Sequence, residues 1–515
     1  MLRSSIWRSV IRPGLALALG AVLALGATGP ADAQKRANTI RFAYDQVPEN
    51  IDPYFNNVRI GVIIAHQVWD TLIYRDPTTN EYKGQLATAW RWINDTTLEL
   101  DLRRGVKFHN GAEFSADDVV YTLNYVANPA NRSTTQSNVN WIDRVEKVDS
   151  HKVRIITKRP FPAAIEYLAG PIVIHPGAYY EQVGPKGMNE KPVGSGPYRI
   201  VEHQIGRSVT LERNPDYFRD SPKPQPTIQR IVIRFIPDRQ TQVAEMLSGG
   251  LDFVMNVAPD QAQQMRAVPT LQVVSGGTMR IVFLNLATTE RSPSPPLRDV
   301  RVRRAIAHAI DRQTMARQLV GEGAQLINAI CFPSQFGCDD SKATVYEYDP
   351  AKARQLLAEA GFPNGFDVEF HAYRERNQSE AMINYLRAVG IRATLRFGQY
   401  AAMRDQIRSN RAAMAHQTWG SFSINDVSAS TPVYYKGLDD DISRDPKVIE
   451  LLTRGDTVTD PQERIAAYRE AHAIITAQAY SIPLYNLVTF YVASRDLEFR
   501  AYPDELPRFW EMRWK

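Results

Sequence analysis

Histidine, cysteine and carboxylate side chains are the groups most able to do chemistry, and here they are dispersed along the chain. The nine histidines occur singly. His109 stands in the turn sequence FHNG, where a histidine is more often a packing residue than a ligand or base. Asp117 and Asp118 have the position of helix N-terminal acids, which the helix dipole stabilises. The aspartates at 439–441 lack the D-x-D-x-D-G spacing and final glutamate of a calcium loop. The sequence therefore predicts no metal site.

Motifs that bring reactive groups together are also missing. The chain has no G-x-S-x-G elbow, H-E-x-x-H helix, P-loop or G-x-G-x-x-G turn. Catalytic triads can be dispersed, so a secreted hydrolase stays open as an alternative. The pattern favours a protein that is not an enzyme, and it predicts no cofactor.

The two cysteines, Cys331 and Cys338, flank the turn-rich segment CFPSQFGC. In an oxidising compartment we expect them to form a disulfide that closes this small loop. The alternative is half of a zinc site, but no histidine or further cysteine lies nearby at metal-binding spacing.

The first 33 residues have the pattern of a cleaved secretory signal peptide. Three arginines precede the apolar run 15–27, and the small residues Ala31–Ala33 follow it. A transmembrane anchor is the alternative, but the run is shorter than the ~20 residues that cross a bilayer. We therefore expect residues 34–515 to be exported.

Composition excludes further classes of protein. The 515 residues include 44% hydrophobic and 10% aromatic residues, enough for packed cores. Lysine and arginine number 61 against 56 acids, a net charge of +5. Without a basic block, this small excess gives no nucleic-acid footprint. At ~150 residues per domain, the length predicts about three structural units.

Strand-like runs alternate with helical ones, as in an α/β protein. Strands are predicted at 39–44, 97–103, 152–158, 208–213, 230–236, 271–275, 281–286, 367–373 and 487–495. One helix is predicted to start at the capping box of Ser115 and Asp118. Two more are predicted after Asp349 and Asp460, each followed by proline, the first of them closed by Gly361.

Another apolar periodicity predicts a continuous helix over Asp299–Val320. Its residues Arg301, Arg304 and Arg312 are expected to form a solvated face.

Six segments, read in order, carry a resemblance to a known family. They are LATAWRWINDTTLELDLRRGVKFHNGAEFSADDVVYTL (86–123), PVGSGPYRI (192–200), LERNPDYFRD (211–220), EMLSGGLDF (245–253), PLRDVRVRRAIAHAIDR (296–312) and YDPAKARQLLAEAGFPNGF (348–366). Together they resemble the extracytoplasmic solute-binding proteins of ABC importers, in the dipeptide, oligopeptide and nickel-binding family (family 5). The resemblance spans nearly all of residues 34–515.

The resemblance implies an α/β fold, a two-lobed periplasmic-binding-protein clamp of type II, in the large subclass with an extra inserted subdomain. Lobe I would comprise residues 34–81, 193–285 and 482–515, with the inserted subdomain at 82–192. Lobe II would comprise residues 286–481. Two crossing strands would form a hinge, near Ser292–Pro296 and Ile482–Leu484, and the lobes would close around a ligand.

The resemblance also suggests ligand-binding residues in the first lobe. In the family, the stretch after an L-D-P motif lines the cleft. The matching stretch here is IDPYFNNVR (51–59), which makes Asn56, Asn57 and Arg59 candidates.

The second lobe departs from the pattern of peptide binders, in which a Trp-x-x-Asp segment supplies the aspartate for the ligand's α-amine. Here Trp419 is present, but Phe422 stands at the acid's position and Asp426 comes four residues later. Either Asp426 takes the role, or the ligand has no free amine. Trp419 is a candidate cleft wall or an ordinary core residue.

Arg374 follows a predicted strand and is a candidate clamp for a ligand carboxylate; the alternative is a solvated loop arginine. The resemblance implies a periplasmic receptor, expected to be a monomer, that delivers a peptide or peptide-like solute to the permease subunits of an ABC importer. Alternative ligands are an opine, a metal chelate or an oligosaccharide.

Overall fold

The protein is described by a computed structural model that covers residues 37–515. The predicted signal peptide at residues 1–33 lies outside this range. Within it the strands, numbered in chain order, are β1 Thr39–Tyr44, β2 Ile73–Arg75, β3 Tyr82–Gly84, β4 Ala87–Asn94, β5 Thr97–Leu102, β6 Ile142–Asp149, β7 Lys152–Thr157, β8 Tyr198–Gln204, β9 Ser208–Arg213, β10 Arg230–Phe235, β11 Phe253–Val254, β12 Leu271–Leu286, β13 Asp367–Ala372, β14 Arg392–Phe397, β15 Met414–Trp419, β16 Ser481–Ser494, β17 Leu497–Glu498 and β18 Arg513–Trp514.

The α-helices in the same range are α1 Arg59–Val68, α2 Ala116–Ala127, α3 Ala164–Ala169, α4 Gly177–Glu190, α5 Arg239–Leu247, α6 Pro259–Met265, α7 Val300–Ala309, α8 Arg312–Met315, α9 Pro350–Glu359, α10 Arg376–Ala388, α11 Tyr400–Arg408, α12 Thr431–Tyr435, α13 Pro446–Thr457 and α14 Pro461–Ala477. Short 3-10 turns and one π-helical turn, Ala316–Val320, connect them.

Ten strands form one sheet in the order β14-β13-β15-β12-β16-β11-β1-β10-β9-β8. The long strands β12 and β16 pair along most of their length at its centre. We call the β11-β1-β10-β9-β8 side the first half, together with helices α1 to α6, the pair β2-β3, the separate four-stranded sheet β4-β5-β7-β6 and the C-terminal tail 497–515. The β15-β13-β14 side, with helices α7 to α14, is the second half. Because β12 and β16 each extend into both halves, they link the two parts of the molecule. The fold is mixed α/β, as the sequence predicts.

Helix starts follow the local signals in the sequence. Ser115 and Asp118 form both hydrogen bonds of a capping box at α2. Asp349 and Asp460 accept backbone N–H bonds at the starts of α9 and α14. Gly361, just beyond α9, has a φ of 91°, the left-handed backbone that favours glycine after a helix. These predictions are confirmed.

The prediction of two separate strands at 271–275 and 281–286 is wrong, because β12 runs continuously through Gly276 and Gly277. Its register against β16 shifts between Gly277 and Ile281, so a bulge replaces the predicted break. The partner strand begins at Ser481, six residues before its predicted start. It admits Pro483 beside a second register shift, where a missing N–H is tolerated.

The predicted continuous helix 299–320 is also wrong. The backbone of Ile310 is extended, and Asp311 caps a new helix by accepting from Thr314 N–H. Arg301 is exposed, whereas Arg304 and Arg312 are half-buried. All three arginines bind backbone carbonyl groups, Arg301 that of Glu359, Arg304 that of Ala477 and Arg312 that of Pro483, and only Arg301 lies on an exposed face.

The expected crossings can be placed on these elements. Residues 292–296 lie after β12, where a 3-10 turn begins at Pro295, and Ile482–Leu484 lies inside β16. Cys331 and Cys338 are joined in a disulfide, in a loop between the π-helical turn and α9.

Candidate functional site

Arg59, the first residue of α1, joins three separate parts of the molecule. Its guanidinium donates from Nη1 to Ser423 Oγ in the second half (2.6 Å) and to Asp504 O in the tail (3.3 Å). From Nη2 it donates to Glu505 Oε2 at 3.3 Å. The helix start therefore meets the second half and the tail at one side chain.

Arg280 approaches the same carboxylate from β12. Its Nη2 lies 3.3 Å from Glu505 Oε2, the oxygen that Arg59 also contacts. A Cβ added to Gly420 would lie 2.9 Å from Arg280 Nη2 and 3.3 Å from Arg59 Nη2. Both guanidinium groups thus pass close to the end of β15, and a side chain at position 420 would have to displace them.

Glu505 is buried in the tail, on a left-handed backbone with a φ of 59°. Burial acts to raise the pKa of its carboxyl group, but the charges of Arg280, Arg59 and Arg374 outweigh it and lower the pKa. The neighbouring Asp504 is occupied by Arg508, at 2.6 Å. Glu505 is therefore an ionised group within a predominantly cationic cluster.

The loop that follows β15 covers this cluster and carries strained backbone. Ser421, Phe422 and Ser423 have φ values of 45°, 50° and 66°, a conformation that non-glycine residues adopt at a cost and often at binding sites. The disulfide loop braces it, because Gln335 Nε2 donates to Ser421 Oγ and to Ile424 O, both at 2.9 Å.

The same loop enters the first half. Ile424 is fully buried and belongs to the apolar core of the first half. Asn425 N–H donates to Glu166 Oε1 at 2.6 Å, and Arg75 pairs with Glu166 at 3.1 Å while donating to Ser423 O at 3.1 Å. The two halves are therefore held together by an apolar side chain and by a buried carboxylate.

A small cavity of about 30 Å³ adjoins these contacts. His66, Arg75 and Lys223 line it from the first half, and Phe422 and Ser423 from the second. This space admits only water-sized molecules.

The structure separates the first-half candidates. Arg59 lies at the junction described above. Asn56 is buried and donates from Nδ2 to Val58 O at 2.9 Å, with its side chain packed against Gly61. Asn57 is exposed. Of the three, Arg59 has the contacts of a residue that faces the junction between the halves.

Trp419 and Arg374 lie close to the cluster in the second half. Trp419 is half-buried, donates from Nε1 to Ala429 O at 2.7 Å and meets the Phe422 ring edge to face at 5.3 Å. Arg374 pairs with Glu375 at 2.8 Å and keeps about a third of its side chain exposed. Although burial acts against the charged guanidinium, Glu375 and Glu505 contribute to a net rise of its pKa.

Asp426 is buried and already paired. Both carboxylate oxygens lie 3.0 Å from Arg464 Nη2, and Oδ1 also accepts from Ser428 N–H at 2.9 Å. This carboxylate is therefore neutralised by the protein itself.

Four residues of this junction have no clear signal in the sequence, namely Arg280, Glu505, Ser423 and Glu166. Arg280 follows a glycine pair in an apolar strand, a weak signal, and Glu505 lies in a proline-containing tail that resembles any surface loop. His109 has the predicted packing role, since Gly194 N–H donates to Nδ1 and Nε2 lies 3.0 Å from Gly196 O.

Within residues 37–515, no three His, Cys, Asp or Glu side chains are grouped so that they could hold a metal ion. In the same range, no helix combines the length and apolar character needed to cross a membrane.

Comparisons with known proteins agree with this architecture. Residues 81–440 match the family model for bacterial extracellular solute-binding proteins, family 5. The glutathione-binding protein GsiB of Salmonella choleraesuis (strain SC-B67) is 27% identical over 452 residues, which cover 84% of this chain and 86% of GsiB.

Solved structures of similar proteins share the fold. A dipeptide-binding protein from Pseudoalteromonas sp. SM9913, in complex with Met-Leu, has a TM-score of 0.79 at 22% identity, covering 93% of this chain and 100% of that one. MoaA of A. tumefaciens R10, in complex with mannopinic acid, has a TM-score of 0.77 at 23% identity, covering 93% and 99%. The family match spans well over half of the chain, so the protein belongs to the bacterial extracellular solute-binding proteins of family 5.

Proposed function

We propose that this protein is the periplasmic substrate-binding component of an ABC importer, which captures a peptide or peptide-like solute and delivers it to the permease subunits. Residues 34–81, 193–285 and 482–515 act as lobe I, residues 82–192 as its inserted subdomain, and residues 286–481 as lobe II. Binding drives closure of the lobes, and no covalent step is required. The predicted signal peptide directs export.

The observation that carries the proposal is the insertion of Ile424 from the second half into the apolar core of the first. A contact of this kind between two halves joined by long strands is the geometry of hinge closure. Around it, Glu166 accepts from Asn425 N–H, and Arg59 donates to Ser423 Oγ. These contacts break when the halves separate, so they stabilise the closed form only.

The peptide assignment is supported by two relatives whose names state peptide ligands, glutathione for GsiB and Met-Leu for the dipeptide-binding protein. Because Arg464 neutralises Asp426, Asp426 is a poor partner for a ligand's α-amine. This favours a second candidate within the same role, a non-peptide solute without a free amine. Mannopinic acid, the ligand in the MoaA structure, is an example of a non-peptide solute bound by a protein of similar fold.

Native mass spectrometry of protein released from the periplasm tests the receptor function directly. We expect a retained small molecule whose mass gives its class and whose removal lets a peptide or opine bind reversibly. Peptide turnover, with no retained or bound solute, would contradict the receptor and favour a hydrolase.

The closure mechanism is tested by Ile424→Ser. We expect solution scattering to show a smaller ligand-induced compaction than in the wild type, with an unchanged thermal unfolding midpoint, because Ile424 packs between halves and not within one. Leu438→Ser is the matched control, since Leu438 is 64% exposed. Equal compaction in wild type and the Ile424 variant would remove this contact from the mechanism.

A further inference from the structure

Arg59 and Arg280 both contact the carboxylate of Glu505, and both contacts are long. Both contacts to Glu505 Oε2 are 3.3 Å long, whereas charge-assisted N–H···O bonds are usually about 2.7–2.9 Å. The two side chains are 12% and 17% exposed. Glu505 therefore balances only part of the positive charge that the two arginines bring into a nearly buried place.

Arg280 has donors to spare. In the described part of the chain, its guanidinium makes one hydrogen bond, to Glu505, out of the five N–H groups of an arginine fork. Arg59 uses its groups on Ser423, Asp504 and Glu505. The unused donors at this place belong to Arg280, and a fork of this kind matches the two oxygens of a carboxylate.

The surrounding charges leave the cluster one negative charge short. Arg374 is paired with Glu375, and Asp504 is paired with Arg508, so neither pair supplies a counter-charge. Two arginines against one glutamate give an excess of +1. An unbalanced charge away from water is costly, and an anionic ligand group would offset it.

We propose that Arg59 and Arg280 form a subsite for a carboxylate of the ligand, beside Glu505, the resident carboxylate that balances only part of their charge. The inference rests on the receptor function proposed above and adds the chemical class of its ligand, an acidic solute. Arg374, about a third exposed at the same junction, is placed to meet a second acidic group.

The test uses three acids that differ in size, namely glutarate, glutathione and mannopinic acid, each beside its fully amidated form. Calorimetry measures their affinities for the wild-type protein at neutral pH after removal of any retained solute. We expect at least one acid to bind about tenfold or more tightly than its amide, because the amide loses a charge-assisted bond.

Three variants locate the effect. Arg280→Gln is expected to weaken acid binding about tenfold or more while leaving the amide unchanged, and Arg280→Lys to give an intermediate loss. Glu505→Gln removes a competing anion, so acid binding should hold or strengthen. Arg396→Gln is the control, since Arg396 is an exposed arginine paired with Glu369.

A steric variant checks the position without removing a charge. Gly420→Ala places a Cβ 2.9 Å from Arg280 Nη2, whereas Gly398→Ala meets nothing within 4 Å. We expect the first to weaken acid binding and the second to leave it unchanged.

Each outcome separates the subsite from the receptor role. Equal binding of acid and amide, or a loss of acid binding in Glu505→Gln, would overturn the subsite and leave the receptor role standing. Binding of neither form by protein that retains a solute without an acidic group would do the same. Binding of neither form, together with no retained solute of any kind, would overturn both.

Discussion

At the residue scale, the buried ion pair of Asp426 with Arg464 stabilises the fold and occupies the carboxylate that a ligand would otherwise contact. Both side chains are about 5% exposed, and the ring of Phe336 lies 4.7 Å from the guanidinium carbon. Removing one partner of a buried ion pair leaves the other charge uncompensated, which costs more than the pair contributes. The position of Asp426 in the chain suggested an amine ligand, whereas its actual partner is a protein cation.

We predict that Asp426→Asn lowers the free energy of unfolding by about 3–5 kcal/mol. Asparagine keeps the oxygen that accepts from Ser428 N–H, so the variant isolates the charge. Urea denaturation measures the change, and Glu450→Gln, in an exposed pair with Lys447, serves as the control. An unchanged urea midpoint with weakened binding of free-amine peptides would instead restore Asp426 to the ligand site.

At the element scale, the disulfide loop and the loop after β15 form one unit. Phe336 N–H donates to Asn425 O at 2.9 Å, and Val427 N–H donates to Phe336 O at 3.0 Å, like a short parallel bridge. The disulfide between Cys331 and Cys338 shortens the chain that holds Phe336 in place. Its contribution is therefore to the order of the loop that carries Ile424 and Ser423.

We predict that the double variant Cys331→Ser/Cys338→Ser increases hydrogen exchange at the Phe336 and Val427 amides. The expected cause is loop-closure entropy, which the cross-link removes from the open state of this segment. Amides of β1 serve as the internal reference and should exchange as in the wild type. Unchanged exchange at both loop amides would mean that packing alone orders the loop.

At the scale of the whole molecule, four histidines link stability to pH: His416 and His472 are buried, and His66 and His109 are half-buried. Burial is the main cause in each case and lowers the pKa of His66 and His416 to about 3 and of His109 and His472 to about 4. They are spread over both halves, so a pH change acts on the entire fold.

The sign follows from proton binding. Histidines in the unfolded chain bind protons once the pH falls below their pKa of about 6.5. The same four histidines in the folded protein do not bind protons until about pH 3–4. Stability supplied by these groups is therefore complete above pH ~6.5 and is lost as the pH falls towards ~4.

We predict that His472→Gln flattens this loss. His472 is fully buried, and its Nε2 lies 2.8 Å from Thr431 Oγ1. Urea midpoints between pH 7 and pH 4.5 should therefore fall less steeply in the variant than in the wild type. Parallel curves for the two proteins would show that this histidine does not carry the pH dependence.

Much of the local structure was predictable because its causes are local. Ser115 with Asp118, and Asp460 before proline, act within one turn of helix, and the six ordered motifs sufficed to indicate the family. The two failed elements have different causes, one distant and one local. The register shifts in β12 are set by β16, more than 200 residues away, and the break at Ile310 depends on the hydrogen bonds of Asp311 rather than on apolar periodicity.

By itself, the sequence determined the α/β character, the helix caps, the spacing of the two cysteines and the family. Only the tertiary structure determined which charged side chains pair. Arg280 and Glu505 are 225 residues apart in the chain. Asp426 pairs with Arg464 instead of facing a ligand. The physical reason is the distance along the chain over which each interaction acts. Capping and alternation of apolar residues act over a few residues, whereas the pairing of charges depends on where folding brings distant side chains out of water.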